Sequence, residues 1–197
     1  MAGKLRLGLF GGSFDPVHCG HLQLALAARN AFRLERVLFI PARKPPHKKD
    51  RDVSPAAQRL RMLSIALRPY PRLGISRFEL RRTATTYTYQ TAEYFRKRYP
   101  GAKIFFIIGS DSLAELSAWK NAEHLFSLCE FIVGKRAGFA GGTIPRRAVV
   151  HFLQRPLPQV SSSLVRLNAA AGHLIRELVP PGVERYIERT GIYNKKQ

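Results

Sequence analysis

Apolar and polar residues alternate along this chain in segments that have the lengths of strands and helices. Six short, nearly continuous apolar runs are typical of strands buried on both faces of a sheet. They cover residues 5–10, 36–40, 72–78, 103–109, 129–134 and 148–153. Between and after them, helical segments are predicted at about 16–32, 54–67, 86–99, 117–126, from 162 and from 181. This order predicts right-handed βαβ units and a doubly wound parallel sheet with helices on both faces.

Turn and cap residues predict where the first helices begin. Asp15 is expected to be the N-cap and Pro16 the first residue of the first helix, while Ser54 and Pro55 start the second. With 197 residues and 45% hydrophobic content, the chain can bury one substantial core. We therefore expect a single domain over residues 1–197.

Glycine-rich and polar loops follow the predicted strands. Their sequences are GGSFDPVHCGH, PARKPPHK, GSDS, GKRAGF and QRPLPQVSSSLVR. In an open α/β sheet the ligand binds outside the carboxyl ends of the strands. The loops contain groups that suit phosphate, ribose or a base, so the site is expected at this edge.

The first of these loops carries the clearest chemistry. Gly11 and Gly12 permit a tight turn and the close approach of a ligand. The free N–H groups of a helix that starts at Pro16 favour an anion. His18 and His21 are three residues apart and share one helix face, so both imidazoles can address one phosphate.

Other interpretations of this loop are less well supported. A zinc site of the HExxH type needs histidines four residues apart, and the chain has only two cysteines for a cysteine-based site. The G-x-G-x-x-G dinucleotide fingerprint and the Walker sequence are both missing, which disfavours an oxidoreductase or a P-loop ATPase. A purely structural interpretation, with Asp15 as a cap and His21 as a packing residue, stays open in part.

The charge balance predicts an anionic partner. There are 33 Lys and Arg against 13 Asp and Glu, a net charge of +20. A solvated surface, or a host whose proteins are generally basic, is the alternative explanation for much of this excess. The segment RKPPHKKDR at 43–51 could bind phosphate or could be a solvated loop. Cys19 and Cys129 are interpreted as reduced thiols. No apolar run has the length of a signal peptide core or a membrane span, so a cytoplasmic protein without a membrane partner is expected.

The motifs, taken in order, resemble one family. GGSFDPVHCGH is similar to the G(T/S)FDPxHxGH signature of the nucleotidyltransferase superfamily. IPARKPPHK, TYTYQT, IIGSDSLAELSAW, FIVGKRAGF, SSSLVR and YIERTGIY resemble segments of its bacterial nicotinate-nucleotide adenylyltransferases. The similarity runs in register from residue 7 to residue 193.

The resemblance implies a Rossmann-like fold and the transfer of AMP from ATP to nicotinic acid mononucleotide, with Mg²⁺ present. Deamido-NAD and pyrophosphate would form by direct phosphate attack, without a covalent enzyme intermediate. It implies catalytic roles for His18 and His21. It also implies that C-terminal helices from about residue 162 complete the ATP site. The implied ATP-binding residues are Gly11, Gly12, Ser13, Phe14, Lys48, Ser162, Ser163 and Arg166.

The same resemblance implies a set of acceptor-binding residues. They are His47, Thr86, Tyr87, Gly109, Asp111, Trp119 and Arg136. Gln90 departs from the family, which has Asp at that position, and its role is open. Two alternatives remain: a related transferase that uses nicotinamide mononucleotide or phosphopantetheine, and a basic nucleic-acid-binding protein suggested by charge alone. No specific nucleic-acid partner is expected.

Overall fold

A computed structural model describes residues 4–43, 53–135, 143–154 and 157–194. Its six strands form one parallel sheet in the order β3-β2-β1-β4-β5-β6. The strands are β1 (Arg6–Gly12), β2 (Arg36–Pro41), β3 (Leu73–Ile75), β4 (Lys103–Gly109), β5 (Glu130–Gly134) and β6 (Val150–Leu153). The predicted doubly wound, Rossmann-like parallel sheet is confirmed.

Helices cover both faces of the sheet. They are α1 (Cys19–Ala31), α2 (Ala56–Leu67), α3 (Thr88–Arg98), α4 (Ser110–Ala114), α5 (Ala122–Leu128), α6 (Ser162–Ala170) and α7 (Pro181–Thr190). Side chains alternate along each strand: Phe105 and Ile107 of β4 join the core under α1, α2 and α7, while Ile104 and Phe106 join the core under α3 and α5. Within the described residues, no helix is long and apolar enough to cross a membrane.

The prediction for the start of α1 is wrong. The helix begins at Cys19 and its N-cap is His18, whose Nδ1 accepts the N–H of His21. Asp15 does not cap the helix, because its carboxylate accepts hydrogen bonds from Tyr193 and Ser54, far away in the sequence. Tertiary contacts therefore replace the local cap that the sequence suggests.

Two other predicted elements are shorter than expected. The third strand ends at Ile75, at the sheet edge, and a 3-10 turn follows at Glu79–Arg81. The helix predicted at 117–126 is broken, because Trp119 is extended and Asn121 is left-handed, with φ 52°. The helical turn resumes at Ala122. This break brings Trp119 to the wall of the cavity described below.

Arg59 connects three loops at the carboxyl edge of the sheet. It lies on the apolar face of α2, one turn before Met62, and is 1% exposed. Its Nε donates to the carbonyl of Ser54 (2.9 Å), Nη1 to that of Ser13 (2.7 Å) and Nη2 to that of Ala42 (2.8 Å). One planar guanidinium thus fixes the loop after β1, the end of β2 and the approach to α2.

Burial lowers the pKa of Arg59, and the nearby Asp15 carboxylate opposes that effect. A buried guanidinium is tolerated when its N–H groups are satisfied, as they are here by three carbonyl oxygens. The same side chain therefore holds Ala42 and Ser54 relative to Ser13. The geometry of the site thus depends on α2.

Replacing Arg59 with Met should lower the free energy of unfolding by about 3 kcal/mol or more, because three carbonyls lose their donor. Arg59→Lys should recover only part of this, since an ammonium lacks the planar fork that reaches all three acceptors. Urea unfolding measures both. Arg61→Met, an exposed change on the same helix, is the control and should shift stability by under about 0.5 kcal/mol. An unchanged midpoint for Arg59→Met would contradict the bridging role.

Candidate active site

A cavity of about 530 Å³ opens at the carboxyl ends of β1 and β4. The end of β1, the loop that follows it and the first turn of α1 contribute Gly11, Gly12, Ser13, His18 and His21 to the lining. This is the edge at which the sequence places the site. The structure thus brings both histidines together with Gly11 and Gly12. These glycines do not form the predicted turn, because they are the last residues of β1 and pair with Ile40 and Pro41 of β2.

The two histidines form one hydrogen-bonded unit. The backbone N–H of His18 donates to Nδ1 of His21 (3.2 Å), and the N–H of His21 donates to Nδ1 of His18 (3.3 Å). Their rings are stacked, with centroids 3.6 Å apart and planes inclined by 26°. Since each Nδ1 accepts a hydrogen bond, each neutral ring carries its proton on Nε2.

The start of α1 differs from a simple anion-binding helix end. The N–H of Cys19 donates to the carbonyl of Leu178 (2.8 Å), and that of His21 is used by His18. Two of the first N–H groups are therefore committed within the protein. The imidazoles, more than the helix amides, are the groups with which this helix end can meet a phosphate.

Close packing fixes the orientation of the histidine rings. A Cβ at Gly20 would lie 3.1 Å from Nδ1 of His18, so a larger residue would displace that ring. Phe14 is 1% exposed and contacts the edge of His21, with ring centroids 5.0 Å apart. The side chain of Phe14 thus packs in the core, and contact with a nucleotide would involve its backbone.

Asp15 joins distant parts of the chain to this loop. It is 1% exposed, and its carboxylate accepts the hydroxyl of Tyr193 (2.7 Å) and the backbone N–H of Ser54 (2.9 Å). Its carbonyl accepts Nη1 of Arg166 (2.7 Å). Burial, together with the Asp15 charge, raises the pKa of Tyr193, which keeps its hydroxyl protonated as a donor.

The first turn of α6 lies against the histidine loop. The hydroxyl of Ser162 donates to the carbonyl of Pro16 (2.9 Å), and that of Ser163 accepts Nη2 of Arg166 (3.2 Å). The N-cap is Ser161, whose hydroxyl accepts the N–H of Leu164, so Ser162 and Ser163 follow the cap in the first turn of the helix.

The opposite wall of the cavity contains the acceptor-side residues from the sequence. They are Thr86, Tyr87, Gly109, Asp111 and Trp119. Thr86 is 9% exposed, and its Oγ1 has no hydrogen-bond partner among the described residues. A buried hydroxyl of this kind is costly unless a ligand satisfies it.

Gln90, which departs from the family pattern, has a structural role at the start of α3. Its Oε1 accepts the backbone N–H of Tyr87 (3.0 Å) at the start of α3. The amide oxygen thus supplies the acceptor that an aspartate could supply there.

Three predicted site residues, His47, Lys48 and Arg136, lie outside the described residues. Among the residues that the structure describes, no group of three or more His, Cys, Asp or Glu could hold a metal ion. Both cysteines are free thiols, and burial raises the pKa of Cys19 and raises that of Cys129 to about 12.

Glu79 is a cavity residue that sequence reasoning missed. It is 8% exposed and accepts the hydroxyl of Thr91 (2.7 Å). Burial raises its pKa to about 7, although the Thr91 hydrogen bond and the charge of Arg82 oppose the rise. Nothing in the pattern around Glu79 marks it as buried. Sequence reasoning also missed Arg59. The signal that could have identified it is a charged residue at an apolar position of the predicted helix α2.

The shifted pKa of Glu79 predicts a pH-dependent stability. Because the carboxyl titrates near 4.5 when unfolded and near 7 when folded, its stabilising contribution is complete below pH 4.5 and is lost as the pH rises through about 7. Between pH 4 and 8, the free energy of unfolding of the parent protein should fall relative to Glu79→Gln by about 3 kcal/mol. Urea unfolding across this range measures the difference. The exposed Glu188→Gln should retain the parent's transition, and a flat difference for Glu79→Gln would disprove the assignment.

Comparisons with known proteins agree on the family. The family model described as cytidylyltransferase-like matches residues 9–168. A probable nicotinate-nucleotide adenylyltransferase from Thermoanaerobacter sp. is 36% identical, covering 100% of this chain and 98% of the relative. One from Geobacillus kaustophilus is 39% identical, covering 97% of this chain and 87% of the relative.

A solved structure shares the fold. It is the nicotinic acid mononucleotide adenylyltransferase of Plasmodium falciparum complexed with NaAD, with a TM-score of 0.79, 19% identity, and coverage of 96% of this chain and 97% of that one. The likeness supports the Rossmann-like architecture of the sheet and its helices. Together with the full-length sequence identities, these findings show that the chain belongs to the nicotinate-nucleotide adenylyltransferase family.

Proposed function

We propose that the protein transfers AMP from ATP to nicotinic acid mononucleotide, forming deamido-NAD and pyrophosphate in NAD biosynthesis. The observation that carries this proposal is one cavity with a stacked histidine pair on one wall and Thr86, Tyr87 and Trp119 on the other. The cavity therefore has groups suited to phosphates and groups suited to the pyridine ring of the acceptor next to each other. Family membership supports the choice of reaction.

The ATP phosphates are assigned to the histidine wall. Nε2–H of His18 and of His21 would donate to phosphate oxygens and stabilise the charge that develops on the α-phosphate and the leaving pyrophosphate. Close backbone approach is possible at Gly11 and Gly12, which end β1 and have no side chain. The ATP-binding set we propose is Gly11, Gly12, Ser13, Phe14, Lys48, Ser162, Ser163 and Arg166, with the helices from about residue 162 completing the site of a single domain.

The reaction needs no nucleophile from the protein. A phosphate oxygen of the mononucleotide forms the new bond to the α-phosphorus of ATP, and the bond from that phosphorus to the β-phosphate bridging oxygen breaks. Both phosphates are already ionised, so no proton has to be removed first. Positioning and charge stabilisation then supply the rate.

The mononucleotide is assigned to the opposite wall. The pyridinium ring is cationic and would be favoured on the face of Trp119. The unpartnered hydroxyl of Thr86 would donate to the nicotinate carboxylate, a charge-assisted hydrogen bond. The remaining members of the proposed acceptor set are His47, Tyr87, Gly109, Asp111 and Arg136.

We propose Mg²⁺ as the ion that accompanies ATP. Magnesium is commonly bound through substrate phosphates with one or two carboxylates, and the cavity lining contains the carboxyl of Asp111. When bound, the ion would neutralise charge on the phosphates. We place the reaction in the cytoplasm, where both thiols would stay reduced.

Pyrophosphate release with ATP and each of three acceptors tests the substrate. We expect kcat/KM for nicotinic acid mononucleotide to exceed that for nicotinamide mononucleotide by tenfold or more, and phosphopantetheine to be inactive. Thr86→Val removes the hydroxyl at nearly constant volume and should narrow the preference between the two pyridine nucleotides. Higher kcat/KM with nicotinamide mononucleotide would overturn the acceptor assignment.

Substitutions of His18 separate its cap from its chemistry. His18→Ala should cost about 1 kcal/mol of stability through loss of the N-cap, whereas Asn at this position restores a cap without an imidazole. In both variants kcat should fall by about 10²–10³-fold, the usual effect of removing a hydrogen-bond donor to the charge that develops in the transition state.

His21→Ala should show a kcat loss of similar size. Steady-state kinetics and thermal melts on the same preparations give both quantities. If His18→Asn turns over at the parent rate, His18 acts only as a cap.

A further inference from the structure

The edge of the sheet opposite the cavity is strongly basic. In a parallel sheet every strand begins at this edge, and a cation lies at or immediately before the start of four adjacent strands. Arg36, Arg6 and Lys103 open β2, β1 and β4, and Arg72 immediately precedes β3. Neighbouring strands are about 4.8 Å apart, so the row of cations extends over about 14 Å.

Helix ends and loops enlarge this row into a surface, which we call the amino-edge surface. Its members share a position at the amino end of a strand, at the C-terminal end of a helix or in the intervening loop. They are Lys4, Arg6, Arg29, Arg33, Arg36, Arg68, Arg72, Arg96, Lys97, Arg98 and Lys103.

Few acidic groups balance the amino-edge surface. Glu35 and Glu130 lie at the same edge within the described residues. The carboxylate of Glu35 accepts the N–H of Arg6 (2.6 Å), while Glu130 contacts Lys103 (2.7 Å) and His151 (2.7 Å). The region therefore keeps a large positive excess.

The proposed reaction does not account for this charge. β1 and β4 each have seven residues, so their two ends are separated by about 20 Å. The Debye length at physiological ionic strength is about 8 Å, and the field of the amino-edge surface at the cavity is therefore largely screened. Repulsion among like charges opposes folding, and an anion bound at the surface would reduce it.

The side chains favour nucleic acid over a lipid bilayer. Most of the cations are arginines, whose planar fork suits phosphate oxygens. Membrane docking would also need apolar groups to insert into the bilayer. Among the described residues, the exposed large hydrophobic residues at this edge are only Leu5 and Val149, which immediately precedes β6.

Duplex fits this surface better than single-stranded nucleic acid. Single-strand binding uses exposed aromatic rings on which bases stack. The exposed aromatic residues among those described are Tyr87, at the cavity, and Tyr94, which stacks on Phe78. We propose that the amino-edge surface binds the phosphate backbone of a nucleic acid duplex without reading its sequence.

Fluorescence anisotropy with a 20-base-pair DNA duplex over a range of salt concentrations tests the proposal. The triple variant Arg33→Gln, Arg36→Gln and Arg72→Gln should weaken binding at low salt by tenfold or more. It should also make the slope of log K against log salt shallower by two to three, since each lost phosphate contact contributes about 0.9.

A matched triple variant keeps the net charge change constant. Arg61, Arg176 and Arg185 are exposed and lie outside the amino-edge surface, and their change to Gln should leave the slope nearly unchanged. Pyrophosphate release should be at the parent level in both triple variants. A failure of the duplex-binding proposal can therefore be distinguished from a failure of the proposed function.

Three results would overturn the proposal. The first is equal weakening by both triple variants, which would indicate net charge alone. The second is displacement of the duplex by ATP with nicotinic acid mononucleotide, which would place it at the cavity. The third is binding to anionic phosphatidylserine vesicles with no binding to the duplex, which would assign the surface to membranes.

Discussion

The hydrogen bonds around Asp15 and Arg59 are the constraint on which the site depends. Asp15 holds Tyr193 and Ser54 through its carboxylate and Arg166 through its carbonyl, while Arg59 holds the carbonyls of the neighbouring loops. Both side chains are buried, where an unsatisfied donor or acceptor is costly. The loop that presents the histidines is therefore fixed from several sides.

This fixation gives the imidazoles a defined orientation. His18 and His21 accept each other's backbone N–H groups and stack at 3.6 Å, so their tautomers and ring planes are set by the backbone. A phosphate would then meet donors that need little reorganisation, which is the condition for strong electrostatic stabilisation of a transition state. The packed ring of Phe14 and the missing side chain at Gly20 maintain the arrangement.

Much of the fold could be predicted from the sequence, because the apolar runs have strand length and are separated by helical segments. The order of loops predicted that Asp111 and His21 lie at one edge of the sheet, and the family resemblance added Thr86. All three residues line the same cavity. Local signals failed where long-range bonds compete with them. Asp15 resembles an N-cap, yet Tyr193 and Ser54 take up its carboxylate.

By itself, the sequence determined the strands, most of the helices, the edge of the sheet that carries the cavity and the histidine pair. These features follow from the spacing of apolar residues and from the alternation of strands and helices, which are patterns of residues close together in the sequence. Only the tertiary structure decided the burial of Glu79, the reach of Arg59 to three carbonyls and the gathering of cations at the opposite edge. Those properties depend on which distant residues become neighbours. Desolvation and hydrogen bonding act on these residues only after folding has brought them together.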